Sequence, residues 1–286
     1  MINQQYHIEH PLFANSTYKD YNLSLFLGKT QIAFAATHRI LDRIELFKAF
    51  QLEETDNFFA YKLQLKDLLE QESILKATFA KATVAVDLDN HTLVPYSFYE
   101  KTKSALYYHI NFQLEDSNHL SFFVDDIASI EAKNIYTIDK GLMEWVTNCF
   151  ENTQNCVVKH MQSYLLDEFL NRARTESDTI YYQINKGRIS ITGVGNKQVF
   201  FQNYFETNNE QDALYYVLNM LQELNLEQED FKHICIGSIS ETDQLYQALI
   251  AQLPTLVCVQ RPMGKLYAND LQAIPAQYFY HLFCIN

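Results

Sequence analysis

Basic residues are scarce in this chain, which carries 22 Lys and Arg against 35 Asp and Glu and has a formal net charge of −13. Proteins that bind nucleic acid neutralise its phosphates with clustered Lys and Arg. The densest basic spot here is Lys101 to Lys103, and it holds only two lysines. We therefore expect no nucleic-acid partner.

Long apolar runs are missing as well. No stretch approaches the roughly 20 apolar residues that cross a bilayer as a helix. The segment from Met1 to Gln5 also lacks the basic region and apolar stretch of a secretory signal. The sequence predicts no membrane insertion and a cytoplasmic location.

The common motifs for zinc binding, for serine and cysteine nucleophiles and for P-loop phosphate binding are absent from the sequence. The five cysteines are odd in number and form no C-x-x-C pair, which favours buried reduced thiols over a metal site or a nucleophile. No histidine pair has zinc-ligand spacing beside an acid. No G-x-S-x-G elbow and no G-x-x-x-x-G-K-[ST] loop occurs. We assign no catalytic residue, no metal ligand and no cofactor from sequence.

The chain is long enough for two cores, since 48% of its 286 residues are hydrophobic. The charged and polar stretch from Arg172 to Asp178 is the best linker. We place the boundary there, with a first subdomain over residues 1–175 and a second over residues 176–286. The tail after Pro262 is so apolar that we expect it to pack back at the junction.

The second half contains the clearest fold signal, a three-stranded meander followed by a helix, a strand, a helix and a strand. Apolar residues at helical spacing, including Leu218, predict a core-facing helix behind an Asn208 cap. Ser240 and Asp243 form a capping pair for the next helix. The predicted strands are Thr179–Ile184, Arg188–Val194, Gln198–Phe205, His233–Gly237 and Thr255–Val259.

The first half repeats this order after an irregular lead-in over residues 1–19. An imperfect helical stripe begins after Asp56, a plausible cap. A further helix is predicted around Trp145 and another from Gln162. The predicted strands are Tyr21–Leu27, Gln31–Thr37, Glu45–Leu52, Thr83–Asp87, Thr92–Pro95, Leu120–Val124, Asn134–Ile138 and Cys156–Lys159.

Two meander-plus-helix units in tandem resemble the actin, hexokinase and Hsp70 superfamily. More narrowly, the chain resembles a bacterial family with a domain of unknown function and a degenerate form of that fold. The residues that carry this resemblance are Thr92 to Pro95 with Phe98-Tyr99, His160 after a short strand, and Asn203 to Glu206 running into Asp212 to Leu218. The resemblance implies an α/β protein with two tandem ribonuclease-H-like domains, the actin-like ATPase fold, built from mixed sheets with flanking helices.

The resemblance also implies a nucleotide site between the halves, and this chain departs from it at three places. Active members of the superfamily carry an Asp and glycines at the first turn of each meander, which manage phosphate and metal. Here Phe26 takes the place of the first Asp, before Gly28-Lys29-Thr30. Gln183 takes the second place, before Asn185-Lys186-Gly187. The adenine-side glycine pair is reduced to Gly237-Ser238.

These losses predict a non-catalytic pseudo-ATPase that acts as a binding or scaffold protein for an unknown protein partner, because a neutral amide cannot balance a nucleotide-bound divalent cation. An oligomer is compatible with the sequence. The alternative is a divergent ATPase or phosphotransferase that binds ATP and Mg²⁺ with help from Lys29 and Lys186. A third hypothesis is a phosphatase with Asp87 as nucleophile and Asp89 as acid, although Asp89-Asn90 also fits a hairpin turn.

Two further residue pairs have candidate roles. Asp125-Asp126 are interpreted as a solvated turn rather than as metal ligands, since adjacent strand residues point to opposite sides. His160 and Tyr164 lie four residues apart and could share a helical face, but a partly buried, hydrogen-bonded histidine is the simpler interpretation.

Overall fold

The structure is a computed structural model that describes residues 2–13, 15–55, 57–88, 90–113, 118–153, 155–173, 177–196 and 198–285. The chain divides into two compact units. The first comprises Met1–Tyr164, Gly264–Leu271 and Ile285–Asn286, and the second comprises Leu165–Met263 and Gln272–Cys284. The predicted boundary falls on residues 174–176, which lie outside the described residues, so it stays a prediction.

Strands dominate both units. Their bounds are β1 Asn3–Glu9, β2 Tyr21–Gly28, β3 Gln31–His38, β4 Arg43–Gln51, β5 Lys81–Asp87, β6 His91–Pro95, β7 Leu120–Ile127, β8 Ala132–Asp139, β9 Cys156–His160, β10 Thr179–Asn185, β11 Arg188–Gly195, β12 Gln198–Glu206, β13 Lys232–Gly237, β14 Val257–Cys258 and β15 Leu266–Tyr267. The α-helices are α1 Phe58–Gln71, α2 Ser104–Asn111, α3 Lys140–Cys149, α4 Met161–Ala173, α5 Glu210–Glu223, α6 Gln244–Gln252 and α7 Tyr280–Phe283. No described helix is long and apolar enough to cross a membrane.

The first unit is built on a seven-stranded mixed sheet with the strand order β1-β4-β3-β2-β5-β9, to which β15 adds beside β4. The strands β2, β3 and β4 form the predicted antiparallel meander, and β2, β5 and β9 run parallel. The lead-in, predicted to be irregular, forms the edge strand β1. A second, antiparallel sheet with the order β6-β8-β7 lies between β5 and β9 in the chain.

The second unit has a five-stranded sheet with the order β12-β11-β10-β13-β14. The meander is antiparallel, and β10, β13 and β14 are parallel. This is the order and orientation that β4, β3, β2, β5 and β9 have in the first unit. The two units therefore share one topology, and the predicted tandem ribonuclease-H-like architecture is confirmed.

One face of each sheet forms a hydrophobic core with the helices. In the first unit alternate residues of β2, namely Leu23, Leu25 and Leu27, pack in a core with residues of α1 and α3. Successive strand residues point to opposite faces, so Ser24, Phe26 and Gly28 belong to the other face. In the second unit the sheet packs against α5 and α6.

The helix caps differ slightly from the predicted ones. Asn57 caps α1 by accepting the Phe59 N–H at 2.9 Å, whereas the predicted cap, Asp56, lies outside the described residues. Asn209 rather than Asn208 caps α5, accepting the Asp212 N–H at 2.9 Å. The Asp212 carboxylate accepts the Asn208 N–H at 2.8 Å, so Asn208 contributes its backbone N–H to the helix start instead of the predicted side-chain cap.

Candidate functional site

The turn after β2 in the first unit carries four of the predicted nucleotide-site residues. Phe26 is buried, and its ring lies over Gly28: a Cβ atom built on Gly28 would come within 2.8 Å of the Phe26 Cζ. Lys29 is exposed and Thr30 is half-buried. An aromatic ring thus covers the strand end at which the fold's active members carry a carboxylate.

Polar groups of this turn are also engaged within the first unit. The Tyr61 hydroxyl of α1 donates to the Gly28 carbonyl at 3.2 Å, and the Leu52 N–H donates to the Thr30 carbonyl at 2.8 Å. Burial raises the pKa of Tyr61, so its hydroxyl stays protonated and remains a donor. The turn is therefore held by the meander and α1.

Asp87, the proposed phosphatase nucleophile, is the last residue of β5 and pairs in register with Gly28. Its side chain is buried. Asp89, the second carboxylate of that hypothesis, lies outside the described residues. The phosphatase hypothesis stays a prediction.

In the second unit the predicted residues gather at the carboxyl ends of β10 and β13. These strands are parallel, with Gln183 opposite Ile236 and Ile184 opposite Gly237. Gly237 has a φ of +102°, and a Cβ atom there would overlap the Ile184 carbonyl oxygen. Asn185 Oδ1 lies 3.0 Å from the same point. Only glycine fits where these two strand ends meet.

The backbone amides at this strand end already have acceptors within the second unit. The Gly237 N–H donates to the Gln277 carbonyl at 2.9 Å, and the Ser238 N–H donates to the Ile184 carbonyl at 2.8 Å. Gln277 is buried and its Nε2 donates to the Ile239 carbonyl at 3.0 Å. A segment near the C-terminus thus covers the side of β13 that the resemblance assigns to adenine.

ATP with Mg²⁺ is the cofactor that the fold implies, and the residues present do not fit it. Phe26 and Gln183 stand at the two positions where active members carry an Asp, and neither side chain is a carboxylate that could bind the cation. The N–H groups of Gly237 and Ser238 already donate to backbone carbonyls. Among the described residues, no group of three or more His, Cys, Asp or Glu side chains is arranged to hold a metal. We derive no catalytic step through a nucleotide.

Sequence reasoning missed a buried polar cluster around Asp125, which was interpreted as a solvated turn. That interpretation is wrong, because β7 continues to Ile127 and Asp125 is only 6% exposed. Asp125 Oδ2 accepts the His160 N–H at 2.8 Å and the Ser163 hydroxyl at 2.7 Å, and Oδ1 accepts the Tyr136 hydroxyl at 3.0 Å. Ile127, apolar and two residues after Asp125, was the signal that the strand continues.

The pKa of the Asp125 carboxyl departs from its ordinary value. Burial raises the pKa of Asp125, and hydrogen bonds from Ser163, His160 and Tyr136 offset part of that rise. Burial and the neighbouring Asp125 charge raise the pKa of Tyr136. The neighbouring residue Asp126 is exposed and pairs with Lys133 at 2.8 Å, which lowers the pKa of Asp126.

The cluster extends from Asp125 to two histidine rings. Asn134 Nδ2 donates to the Ser163 hydroxyl at 3.0 Å, and Asn134 Oδ1 lies 2.9 Å from His91 Nδ1. The His91 and His160 ring centroids are 4.5 Å apart. His160 ends β9 and is buried, with Nδ1 accepting the Gln162 N–H at 3.1 Å, so it does not share a helix face with Tyr164. These groups are packed rather than open, which suits a structural role.

Comparisons with known proteins place this architecture. A crystal structure from Bacteroides thetaiotaomicron VPI-5482, described as a protein with actin-like ATPase fold and unknown function, is 19% identical and has a TM-score of 0.75; the match covers 92% of this chain and 98% of that one. The PilM–PilN type IV pilus biogenesis complex contains a chain that is 12% identical with a TM-score of 0.54, and the match covers 92% and 97%. At these identities the likeness establishes the fold alone.

The sequence search against curated proteins finds no match. The model of a family described as protein of unknown function (DUF3822) matches residues 10–253. The chain therefore belongs to the DUF3822 family and has the actin-like ATPase fold.

Proposed function

We propose that this protein is a non-catalytic pseudo-ATPase that uses the actin-like fold to bind or scaffold a protein partner. The observation that carries the proposal is the Phe26 ring, buried over Gly28 at the first turn of the meander. An aromatic ring neither binds a divalent cation nor orients water for attack on a phosphoryl group. Phosphoryl transfer would lack the carboxylate that the fold's active members carry at the Phe26 position.

The second unit supports the same proposal by independent means. Gln183 is buried and uncharged where the fold's active members carry the second acid. The N–H groups of Gly237 and Ser238 are bound by the Gln277 and Ile184 carbonyls, so a nucleotide would have to displace hydrogen bonds already made. Gly237 is buried, so loss of its hydrogen bond without replacement would cost roughly 1–3 kcal/mol.

The partner class rests on charge and on fold analogy. A net charge of −13 disfavours a nucleic-acid partner. The PilM–PilN type IV pilus biogenesis complex contains a chain of this fold. By analogy with that complex we propose that this chain also works as a platform for another protein.

The test is unfolding of the protein in the presence of ATP and Mg²⁺, followed by the fluorescence of Trp145, the only tryptophan. Ligand at one hundred times its dissociation constant would add about 2.7 kcal/mol of stability. We expect no shift of the unfolding midpoint and no release of phosphate. A shift that disappears in Lys29→Ala and Lys186→Ala variants, together with release of phosphate by the wild-type protein, would instead establish the divergent ATPase.

The same preparation tests the phosphatase hypothesis. Hydrolysis of a generic phosphate ester by the wild-type protein, abolished in an Asp87→Asn variant that unfolds at the same urea concentration, would replace our proposal. We expect no hydrolysis above the rate of buffer for either protein.

A further inference from the structure

Two cysteines of the second unit face each other across neighbouring parallel strands. Cys235 of β13 and Cys258 of β14 are register partners, and their Sγ atoms lie 3.3 Å apart in a thiol–thiol hydrogen bond. The Val259 N–H donates to the Cys235 carbonyl at 3.0 Å, which continues the pairing past the short strand. The pairing of β13 with β14 therefore holds the two cysteines opposite each other, whatever rotamers their side chains adopt.

The two thiols differ in their access to solvent. Cys235 is fully buried in the core of the second unit, whereas Cys258 is half-buried on β14, a two-residue strand at the edge of the sheet. A small oxidant can therefore reach Cys258 first. Cys235 is shielded from solvent, so its reaction partner is the oxidised sulfur of Cys258.

The backbone separation suits a disulfide. Neighbouring strands lie about 4.8 Å apart, which falls within the roughly 4.4–6.8 Å that Cα atoms of disulfides span. The sulfurs must approach from 3.3 Å to about 2.05 Å. Rotation about the side-chain bonds supplies that movement while the strand pairing stays in place.

We propose that Cys235 and Cys258 form a peroxide-responsive thiol pair, which closes to a disulfide between β13 and β14. The Cys258 sulfur attacks one oxygen of hydrogen peroxide and breaks the O–O bond, giving a sulfenic acid, and the released hydroxide takes a proton and leaves as water. The Cys235 sulfur then attacks the Cys258 sulfur and breaks its S–O bond, and the hydroxyl leaves as a second water with the Cys235 proton. Two thiols lose two electrons and one peroxide is reduced to two waters.

The electrostatics of the pair support this order of events. The hydrogen bond from Cys235 lowers the pKa of Cys258, which favours the reactive thiolate there. The same hydrogen bond and burial raise the pKa of Cys235, so it keeps its proton until the second step. Cys156 is the more exposed thiol, but burial raises its pKa.

The disulfide would close the loop between the two cysteines, which contains α6 and the strand end Gly237-Ser238. Gly237 is two residues from Cys235 along β13. Oxidation would tie the edge strand covalently to the strand that carries this turn. Closure of the Cys235–Cys258 disulfide does not depend on nucleotide binding. Its test is therefore separate from that of the proposed function.

Tryptic mapping gives a direct readout. No Lys or Arg lies between His233 and Gln260, and the bond from Arg261 to Pro262 resists trypsin. One peptide, 233–265, therefore holds Cys235 and Cys258 and no other cysteine. After a short pulse of hydrogen peroxide on the folded protein, we expect this peptide to be lighter by two hydrogens and to regain them with dithiothreitol.

Three variants and one dynamic measurement decide the outcome. Cys258→Ser and Cys235→Ser should both lose the mass change, whereas the matched control Cys156→Ser should keep it. Hydrogen exchange of the Val259 amide should slow by roughly tenfold or more on oxidation, because the edge strand can no longer separate freely. Peptide 233–265 staying reduced while Cys156 is oxidised, or Cys258 passing to sulfinic acid without the link, would overturn the proposal.

Discussion

The Phe26 ring packs directly on Gly28, two residues further along β2, on the sheet face opposite the helical core of the first unit. A Cβ atom at Gly28 would lie 2.8 Å from the Phe26 Cζ and 3.1 Å from the Gln31 carbonyl oxygen. The Phe26 ring thus leaves little room for a side chain at position 28. The contact predicts that the stability effects of substitutions at Phe26 and Gly28 are not additive.

Gly28→Ala should destabilise the first unit by about 1–3 kcal/mol, because the new methyl group overpacks against the Phe26 ring. Phe26→Leu alone should cost about 1 kcal/mol, and the double variant should cost less than the sum, since the smaller side chain makes room. Urea unfolding followed by Trp145 fluorescence measures all three. Simple additivity would show that the ring and the glycine do not interact.

Gly237→Ala should destabilise the second unit by more than about 3 kcal/mol, because the methyl group meets the Ile184 carbonyl in addition to the cost of a positive φ. Gly264→Ala is the matched control: its φ is +90° and nothing lies within 4 Å of the added carbon. That change should cost only about 1 kcal/mol. Equal losses for the two variants, measured by thermal unfolding, would contradict the close approach at Gly237.

Asp125→Asn should cost about 2–4 kcal/mol, because an amide cannot accept from His160, Ser163 and Tyr136 together. Asp126→Asn removes the same charge one residue away, at an exposed position, and should cost about 0–1 kcal/mol. Chemical unfolding at neutral pH compares the two. Similar losses of unfolding free energy for the two variants would favour the interpretation of Asp125 and Asp126 as a solvated turn.

The Asp125 variant should also change how stability depends on pH. The folded pKa of Asp125 is raised above the unfolded value, so the folded state binds the proton more tightly. Its contribution to stability therefore falls as pH rises from about 3.9 toward the folded value. The difference between wild type and Asp125→Asn should narrow over that interval, which unfolding at a series of pH values measures.

Glu45 should show the opposite dependence. Burial raises the pKa of Glu45, but hydrogen bonds from Arg43 and Tyr21 outweigh it and lower the pKa overall. The stabilisation is present above the unfolded pKa of about 4.3 and is lost as pH falls through the lower folded value. Glu45→Gln should cost about 1–3 kcal/mol at pH 7 and progressively less in acid. A loss that does not change with pH would rule out an ionised Glu45.

Leu221→Ala in α5 should cost about 2–5 kcal/mol, since Leu221 is buried in the second core. Leu218→Ala, the same change one turn away, should cost less, because Leu218 is only half-buried. Circular dichroism during urea unfolding measures both. This ranking corrects the sequence-based expectation that Leu218 lies in the core.

The sequence predicted the order of strands and helices because period-two and helical patterns are local, and β2, β10 and α5 display them within a few residues. It failed where the deciding contact is distant in the chain. Asp125 is buried because Ser163 and the His160 N–H satisfy it, 38 and 35 residues further on. The α5 cap shows a smaller limit: Asn208 and Asn209 have equal capping ability, and only the backbone conformation selects Asn209.

The positions of the candidate site follow from the repeated motif and stay a prediction, whereas their arrangement does not follow from the sequence. Phe26, Gln183 and Gly237 were identified by their place in the repeated motif. The burial of the ring on Gly28 and the engagement of Gly237 by Gln277 depend on side-chain packing and on a segment 40 residues away, neither of which spacing reveals.

The small sheet of β6, β8 and β7 leaves the main sheet after β5 and returns to it at β9, and these two strands are parallel neighbours. The segment between them is nevertheless part of the first core, because Tyr136 and Ile138 of β8 and Leu142 of α3 pack with the residues of β2 and α1. A change in the small sheet would therefore carry a packing cost inside the core that a change in a surface loop does not.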